Sequence, residues 1–545
     1  MHDAQQAMAV SPPRSLSDLG IVGCETASAR QAPSGWVTAR HSGRAFAFRP
    51  LRTALPMGWL VTLGLLAFAA VWLSHLAYTS LSPPVDDIEQ LTWVRSLEWG
   101  YYKHPPLPTW LLWPPVQLFG LTRWTVYCAG AACTLGALGL MWSLLARLRG
   151  TQHAAVALLA ALCITYYNGR LSYYNHNIVL MLLSAASATL CWQAFATRQR
   201  RWWLGLGLTI GFGALSKYQI AVPIVCVLAF AWHQRAWRDP VHRLGMLLAC
   251  LIALLLFAPH VAWLLTQDFG PIRYAVNTSL GARLGATARF VESLHWLVDQ
   301  VFNRALPALL LLAATSFWAL PKLGRHDDAN FPAAAAGAQG PDASRAFLLI
   351  WGLTPLVFMP LVGIFFGADL QLHWGTPFLL WAVPALMELI SRKLWGQADM
   401  RKVLTTFVLI QALLLAVSHL TSPRGPLARH DRHRPAFDPG ELAQRIADSA
   451  RRQLGGPVRI VLGEAALAQS LALKLPEHPL VLIDGRFDHS PWVSQRLLRE
   501  CGALHIGHRS ELPTGSMIDP AFPDLAWRVI QPAVSALACP RSRVD

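Results

Sequence analysis

MGWLVTLGLLAFAAVWLSHL, residues 57–76, is long and apolar enough to cross a bilayer as one helix, which takes about 20 residues. A polar island follows. It holds Asp86-Asp87-Ile88-Glu89 and then Tyr101-Tyr102-Lys103-His104-Pro105-Pro106-Leu107. Two adjacent carboxylates therefore stand at a membrane exit, with a cation on a stiff Pro-Pro close behind. A carboxylate can take a proton, and a lysine can hold a phosphate. The pairing points to group transfer at a membrane surface rather than passage of a solute.

Composition agrees with a membrane protein. The 545 residues are 54% hydrophobic and 14% charged, where soluble domains carry about 25% charged residues. The net charge of +16 comes from short arginine clusters between apolar spans. That pattern fits cytoplasmic loops better than a nucleic-acid surface. The 23 tryptophans suit interfacial belts. The nine cysteines show no CxxC or other metal-ligand spacing. Six of them lie in apolar spans as small hydrophobes, and Cys501 and Cys539 could pair if their domain is extracytoplasmic. The first 50 residues are rich in Ser, Ala and Arg and lack the apolar core of a cleavable signal peptide. Residues 1–54 are expected to be a disordered cytoplasmic tail, with the first span as a signal anchor.

About eleven spans are expected, near 57–78, 124–147, 152–169, 177–197, 203–216, 219–233, 244–266, 300–320, 346–366, 372–390 and 402–421. Arginine and lysine set the orientation. Arg147, Arg149, Arg198, Arg200, Arg201, Arg235, Arg238, Lys322, Arg325, Arg392 and Lys393 then fall inside on alternate crossings, and Arg170 breaks the pattern. The loop 79–123, the turn Ser216-Lys217-Tyr218-Gln219, the loop 267–299 and the loop 369–374 meet on the outer face. Pro106–Phe119 is expected to lie in the interface as a helix. The segment 324–345 reads as a flexible cytoplasmic loop. Composition changes near residue 430. Strands at 458–462, 480–483 and 503–506 alternate with helices at 464–475 and 492–501. The fold class is thus an all-α polytopic membrane protein, residues 55–425, with a small C-terminal α/β extracytoplasmic domain, residues 430–545. That domain has no GxGxxG and no P-loop, so a nucleotide site there is not expected.

Several residues on the outer face could carry chemistry. Asp86 and Asp87 follow Ser82-Pro83-Pro84, a helix start, and could simply be first-turn acids. A carboxylate against apolar surface instead gains the pKa of a useful base. Glu89 shares the Asp86 helix face, so the two could hold a divalent cation, although two oxygens make a weak metal signal. Lys103 and His104 are held by Pro105-Pro106. A snorkelling lysine is the plain alternative. Lys217 and Tyr218 sit in a turn between apolar spans on the same face. Tyr173-Tyr174-Asn175-His176-Asn177 is either a capping and anchoring cluster or part of a binding site. Arg273 and His373 are single polar residues of two outer loops.

The acidic pair, the Tyr-Tyr-x-His-Pro-Pro-Leu stretch, Leu215-Ser216-Lys217-Tyr218 and His373-Trp374-x-x-Pro377 together resemble the GT-C glycosyltransferases that use polyprenyl-phosphate sugars. The resemblance is to the bacterial glycosyltransferase family 39 or protein-mannosyltransferase-like branch. That branch includes the lipid A aminoarabinose transferases and the Rgt-type lipopolysaccharide transferases. It covers roughly residues 55–400. It implies a GT-C fold and inverting transfer of a sugar to a lipid, glycan or protein acceptor at the outer face of the inner membrane. Asp86 is implied as the catalytic carboxylate, with Asp87 where the family usually has Glu. Lys103, His104, Lys217, Tyr218 and Arg273 would bind the lipid phosphate, and Asn175, His176 and His373 the sugar or acceptor. Asn175-His176-Asn177 stands where relatives often carry a Thr-Pro-Asp-type motif, without its acid. Some relatives bind a divalent metal, and no complete ligand set stands in this sequence.

A transporter or flippase of lipid-linked sugars would use the same cations and acids. It would need polar residues along a path at the membrane midplane, whereas these gather at one face. A glycan polymerase of the same fold and a structural membrane protein are the remaining alternatives.

Overall fold

Helix α1 (Met57–Thr79) begins the described part of the computed structural model, which covers residues 56–280, 284–323, 341–390, 392–428, 438–533 and 539. The expected tail 1–54 and most of the loop 324–345 lie outside the described residues. The first loop carries α2 (Val85–Trp93) and α3 (Leu107–Phe119). There follow α4 (Arg123–Arg149), α5 (Thr151–Leu162), α6 (His176–Thr197), α7 (Arg200–Ser216), α8 (Ala221–His233) and α9 (Pro240–Thr266). The helices α10 (Gly270–Ala275), α11 (Ala286–Val298), α12 (Leu306–Leu323), α13 (Pro341–Phe366), α14 (Leu379–Leu389), α15 (Arg392–Gly396) and α16 (Met400–Thr421) complete the bundle.

Six helices among the described residues are long and apolar enough to cross a membrane: α1, α4, α6, α9, α13 and α16. The pair formed by α11, its π-helical extension Asp299–Arg304 and α12 is bent by 55° and makes a seventh if taken as one span. The other expected spans fall on shorter helices: α5 has 12 residues, α7 has 17, α8 has 13 and α14 has 11. By length and composition alone, six or seven of the eleven expected spans are long enough to cross, and the other four lie on shorter helices. Most side chains of α5 are buried by other helices. It stops at Leu162, and Tyr166, Tyr167 and Asn168 form buried turns instead.

Small residues and internal hydrogen bonds lock the helices. Gly207 and Gly211 let α7 lie directly on α9: a Cβ at Gly207 would stand 2.6 Å from the Ala249 carbonyl, and one at Gly211 would stand 2.8 Å from Leu256. Gln411 of α16 accepts from the Trp72 indole at 3.0 Å and donates to the Leu162 carbonyl at 3.1 Å, joining α16 to α1 and α5. At the other end of α4, Arg149 pairs with buried Glu388 and donates to Ser344. This ties α4 to α14 and α13.

The C-terminal part adds α17 (Pro439–Leu454), β1 (Ile460–Gly463), α18 (Ala465–Lys474), β2 (Leu480–Ile483), α19 (Gln495–Cys501), β3 (Ala503–His508), β4 (Met517–Ile518) and β5 (Leu525–Ile530). The sheet order is β2-β1-β3-β5-β4, with β2, β1 and β3 parallel and β5 antiparallel to both β3 and β4. Strand alternation explains the layers. Val461, Val481 and Leu504 face α17 and α18, while Ile460, Leu482 and Ala503 face α19. A Cys501–Cys539 disulfide ties the chain end to α19. The sheet unit packs on the first loop through α18 and α2, and Arg95 donates to the His478 carbonyl at 2.7 Å.

Candidate active site

Ser82-Pro83-Pro84 ends one extended stretch, and Pro84 starts α2 with both acids in its first turn. Neighbouring residues on a helix point about 100° apart, and here the difference separates their roles. Asp86 opens onto a cavity of about 610 Å³. Asp87 points inward, is fully buried, and accepts from the Tyr174 backbone N–H at 3.1 Å. Burial pushes the Asp87 carboxyl well above the usual range, only partly offset by that bond. Asp87 is thus placed as a buried anchor for residue 174.

Asn175 fixes Asp86. Its Oδ1 caps α6 by accepting from the N–H groups of Asn177 and Ile178 at 3.0 and 3.2 Å. That bonding settles the amide orientation and turns Nδ2 toward Asp86 Oδ2, at 3.0 Å. Helix α4 supports this turn at Gly130, where an added Cβ would stand 2.1 Å from the Tyr173 carbonyl. We expect Gly130→Ala to displace residues 172–175 and cost about 1–3 kcal/mol, as overpacking does. A lowered unfolding temperature together with lost activity is the check, and wild-type values for both would contradict it.

The Asp86 cavity runs between the ends of α1 and α16, past Leu76, Thr79, Ser418 and Thr421. Arg170, Tyr173, Asn175, Asn177 and His373 share its lining. Sequence reasoning noticed Arg170 only as the charge that broke the topology pattern. Its guanidinium lies over the rings of Tyr166 and Tyr173, at 5.6 and 5.4 Å. An outer-face arginine without an acidic neighbour in sequence was the available signal.

Lys217 ends α7 in an extended conformation and is buried. Its Nζ donates to Asn177 Oδ1 at 2.7 Å and lies 5.3 Å from the Trp374 ring. Burial lowers its pKa to about 7, and Asp86 opposes that shift. The charge is therefore present below pH 7 and lost above it. If this cation serves the reaction, kcat/KM falls as pH rises from 6 to 8.5. Lys217→Arg, which stays protonated, should remove that limb. A flat wild-type profile would exclude Lys217 as its source.

The His104 and His176 rings meet at 3.9 Å between centroids, His176 buried and His104 half-buried. Burial holds His104 well below the usual histidine range, and His176, Lys217 and Lys103 add to the effect. Lys103 pairs with Glu89, whose side chain is 4% exposed. Burial alone would lower the Lys103 pKa, but Glu89 and Tyr102 raise it overall. Glu89, which with Asp86 could hold a cation, is paired with Lys103 in this structure. Among the described residues no group of three or more metal-ligating His, Cys, Asp or Glu side chains occurs.

Lys103 Nζ also lies 5.2 Å from the Tyr102 ring and 5.6 Å from the Tyr274 ring. Those rings line a second cavity of about 610 Å³, together with Trp263 and Arg273. Arg273 is ion-paired with Asp268. Tyr218 belongs to neither cavity lining: its hydroxyl meets His260 Nε2 at 2.9 Å, and His260 Nδ1 reaches the Trp99 carbonyl. Asp86 thus lines one cavity, and Lys103 stands beside the Tyr102 and Tyr274 rings that line the other.

A helical membrane bundle carrying this paired site after its first span has the form of a GT-C transferase. The comparisons agree. A family model described as dolichyl-phosphate-mannose-protein mannosyltransferase matches residues 103–263. The lipopolysaccharide core galacturonosyltransferase RgtA of Rhizobium johnstonii is 25% identical over 423 residues, 73% of this chain and 77% of that one. The lipid A galacturonosyltransferase RgtD of the same organism is 21% identical over 347 residues, 62% of this chain and 65% of that one. The match therefore spans just under two thirds of RgtD. ArnT from Cupriavidus metallidurans, in a crystal structure with undecaprenyl phosphate bound, superposes with a TM-score of 0.56 at 18% identity, over 89% of this chain and 100% of that one. Its apo structure gives the same score at 17% identity. The chain is thus a glycosyltransferase with the GT-C fold of ArnT, similar in sequence to RgtA and RgtD, and a multi-pass bacterial inner-membrane protein.

Proposed function

We propose that the protein transfers a sugar from a polyprenyl-phosphate carrier to a lipid or glycan acceptor of the envelope, with inversion, at the outer face of the inner membrane. The observation that carries this reading is an oriented carboxylate lining one cavity and a lysine standing beside the aromatic wall of another. Inversion needs the acceptor and the leaving phosphate on opposite sides of the anomeric carbon. The Asp86 cavity opens along α1 and α16 and suits the acceptor. Asp86 takes the acceptor hydroxyl proton as general base. The cavity beside Tyr102 and Tyr274 suits the phosphate, with Lys103 and Arg273 near the charge that grows as the sugar–phosphate bond breaks. Lys217 adds charge next to Asn177. Arg170 and His373 contact the acceptor. The polyprenyl chain lies along α9, much of whose surface is exposed.

The same reading divides the chain into a transferase domain, 55–425, and an outer domain, 430–545, in the periplasm. The Cys501–Cys539 disulfide supports that placement, because such bonds persist in oxidising compartments. The names of RgtA, RgtD and ArnT support a lipid-linked donor and a lipopolysaccharide acceptor over a flippase. The test is transfer of radiolabelled sugar from a panel of polyprenyl-phosphate donors by purified protein, with an envelope lipid extract as acceptor. Label in the acceptor with inverted anomeric configuration is expected. Movement of intact donor across vesicles without transfer would overturn the reading in favour of a flippase.

A further inference from the structure

The end of the bundle remote from both cavities carries a charge that the transfer reaction does not use. Helix α7 runs from Arg200 to Ser216, about 25 Å at 1.5 Å per residue, so its first turn lies that far from Lys217. The turn before α7 and its first residues hold Arg198, Arg200 and Arg201. The turn before α9 holds Arg235 and Arg238, and the first turn of α9 holds Arg243. All six are exposed. The two turns form one surface. Arg198 pairs with Asp239 at 2.6 Å. Gly245 lets Trp203 lie directly on α9, where an added Cβ would stand 2.5 Å from the indole. The His242 ring stacks on Phe195 with centroids 4.8 Å apart, and Trp203, His242 and Phe195 are all buried. Among the described residues, the other five arginines form no ion pair.

A basic bias alone would orient the chain in the membrane, but the placement of these residues goes further. Arg200, Arg201 and Arg243 stand in the first turns of α7 and α9, which carry no acid. The positive end of a helix disfavours cations there and favours an anion. Apolar surface adjoins the charge. The exposed Trp232 and Trp237 rings meet at 4.6 Å between centroids, and tryptophan settles at headgroup level. Exposed Leu244, Leu247 and Leu251 continue from Arg243 along one face of α9. With the transfer site at the outer face, this end meets the cytoplasmic leaflet. We infer that it binds an anionic phospholipid with two phosphates, of the cardiolipin type. One phosphate sits against Arg200 and Arg201, the other against Arg238 and Arg243, and the acyl chains follow the leucines of α9. Basic surfaces between helix ends on the cytoplasmic side suit such headgroups. A soluble acidic partner would match the guanidinium groups but not the leucines.

The experiment titrates the full-length protein in detergent with tetraoleoyl cardiolipin, dioleoyl phosphatidylglycerol and dioleoyl phosphatidylcholine, and reads bound lipid by native mass spectrometry. Wild type is compared with the pairs Arg200→Gln/Arg201→Gln and Arg238→Gln/Arg243→Gln, which alter the two turns separately. Wild type should bind cardiolipin most tightly, and each pair should weaken that binding about tenfold, the scale of losing one or two interfacial charges. Cardiolipin should raise the unfolding temperature of wild type, as a ligand of the folded state does, and raise it less in either pair. The lipid-free unfolding temperatures should agree, since these side chains are exposed. Unchanged cardiolipin affinity in either pair would overturn the inference. So would equal binding of phosphatidylglycerol at matched phosphate, which would reduce the surface to a general attraction for anionic lipid. Neither result would touch the transferase reading, whose residues lie at the opposite end of the bundle.

Discussion

Asp86→Asn should reduce sugar transfer by about 10²- to 10⁴-fold, the usual contribution of a general base, without changing the unfolding temperature. The substitution keeps size and shape. Its amide oxygen still accepts from Asn175 Nδ2, so the cap of α6 and the turn at 173–175 are retained. What disappears is the capacity to take a proton in the cavity. Asp87 provides the internal contrast. Asp87→Ala strands the buried Tyr174 N–H, which costs about 1–3 kcal/mol, and should lower stability together with activity. If Asp86→Asn kept full activity, or if the two acids behaved alike, the division of roles would be wrong.

Lys103→Met should have the second largest effect, about 10²- to 10³-fold in transfer, the scale of removing one preorganised stabiliser of developing charge. This variant also leaves Glu89 buried and unpaired, so reduced stability is expected with it. The double variant Lys103→Met/Glu89→Gln separates the two. It removes the orphaned charge and should regain most of the lost stability, yet remain as inactive as Lys103→Met. Recovery of transfer with recovery of stability would make Lys103 a structural residue only.

Much of this was legible in the sequence because it depends on local chemistry. Pro83-Pro84 before Asp86 announces a helix start, and Leu107–Phe119 is the expected short helix. In the C-terminal region, β1, α18, β2, α19 and β3 lie where alternation and helical spacing put them. What the sequence concealed depends on partners distant along the chain. Adjacent Asp86 and Asp87 look equivalent until Asn175 and Tyr174, some ninety residues away, take one each. Glu89 pairs with Lys103, a partner that local spacing does not indicate. Arg170 was an anomaly of charge until the fold set it in the Asp86 cavity. The expected spans on α5, α7, α8 and α14 fall on helices of 17 residues or fewer, a shortness that hydropathy along the sequence does not reveal. The amphipathic α17 and the strand β5 were missed, the latter because its Leu525-Ala526-Trp527 run is buried without alternation.

The most direct test of the central claim is to locate the phosphate. A structure of the protein determined with undecaprenyl phosphate bound should place the phosphorus beside Lys103 and Arg273, in the cavity walled by Tyr102 and Tyr274, with the Asp86 cavity left free for an acceptor. A phosphate seated instead against Asn175 and Arg170, in the cavity that Asp86 faces, would reverse the two sides and contradict the mechanism.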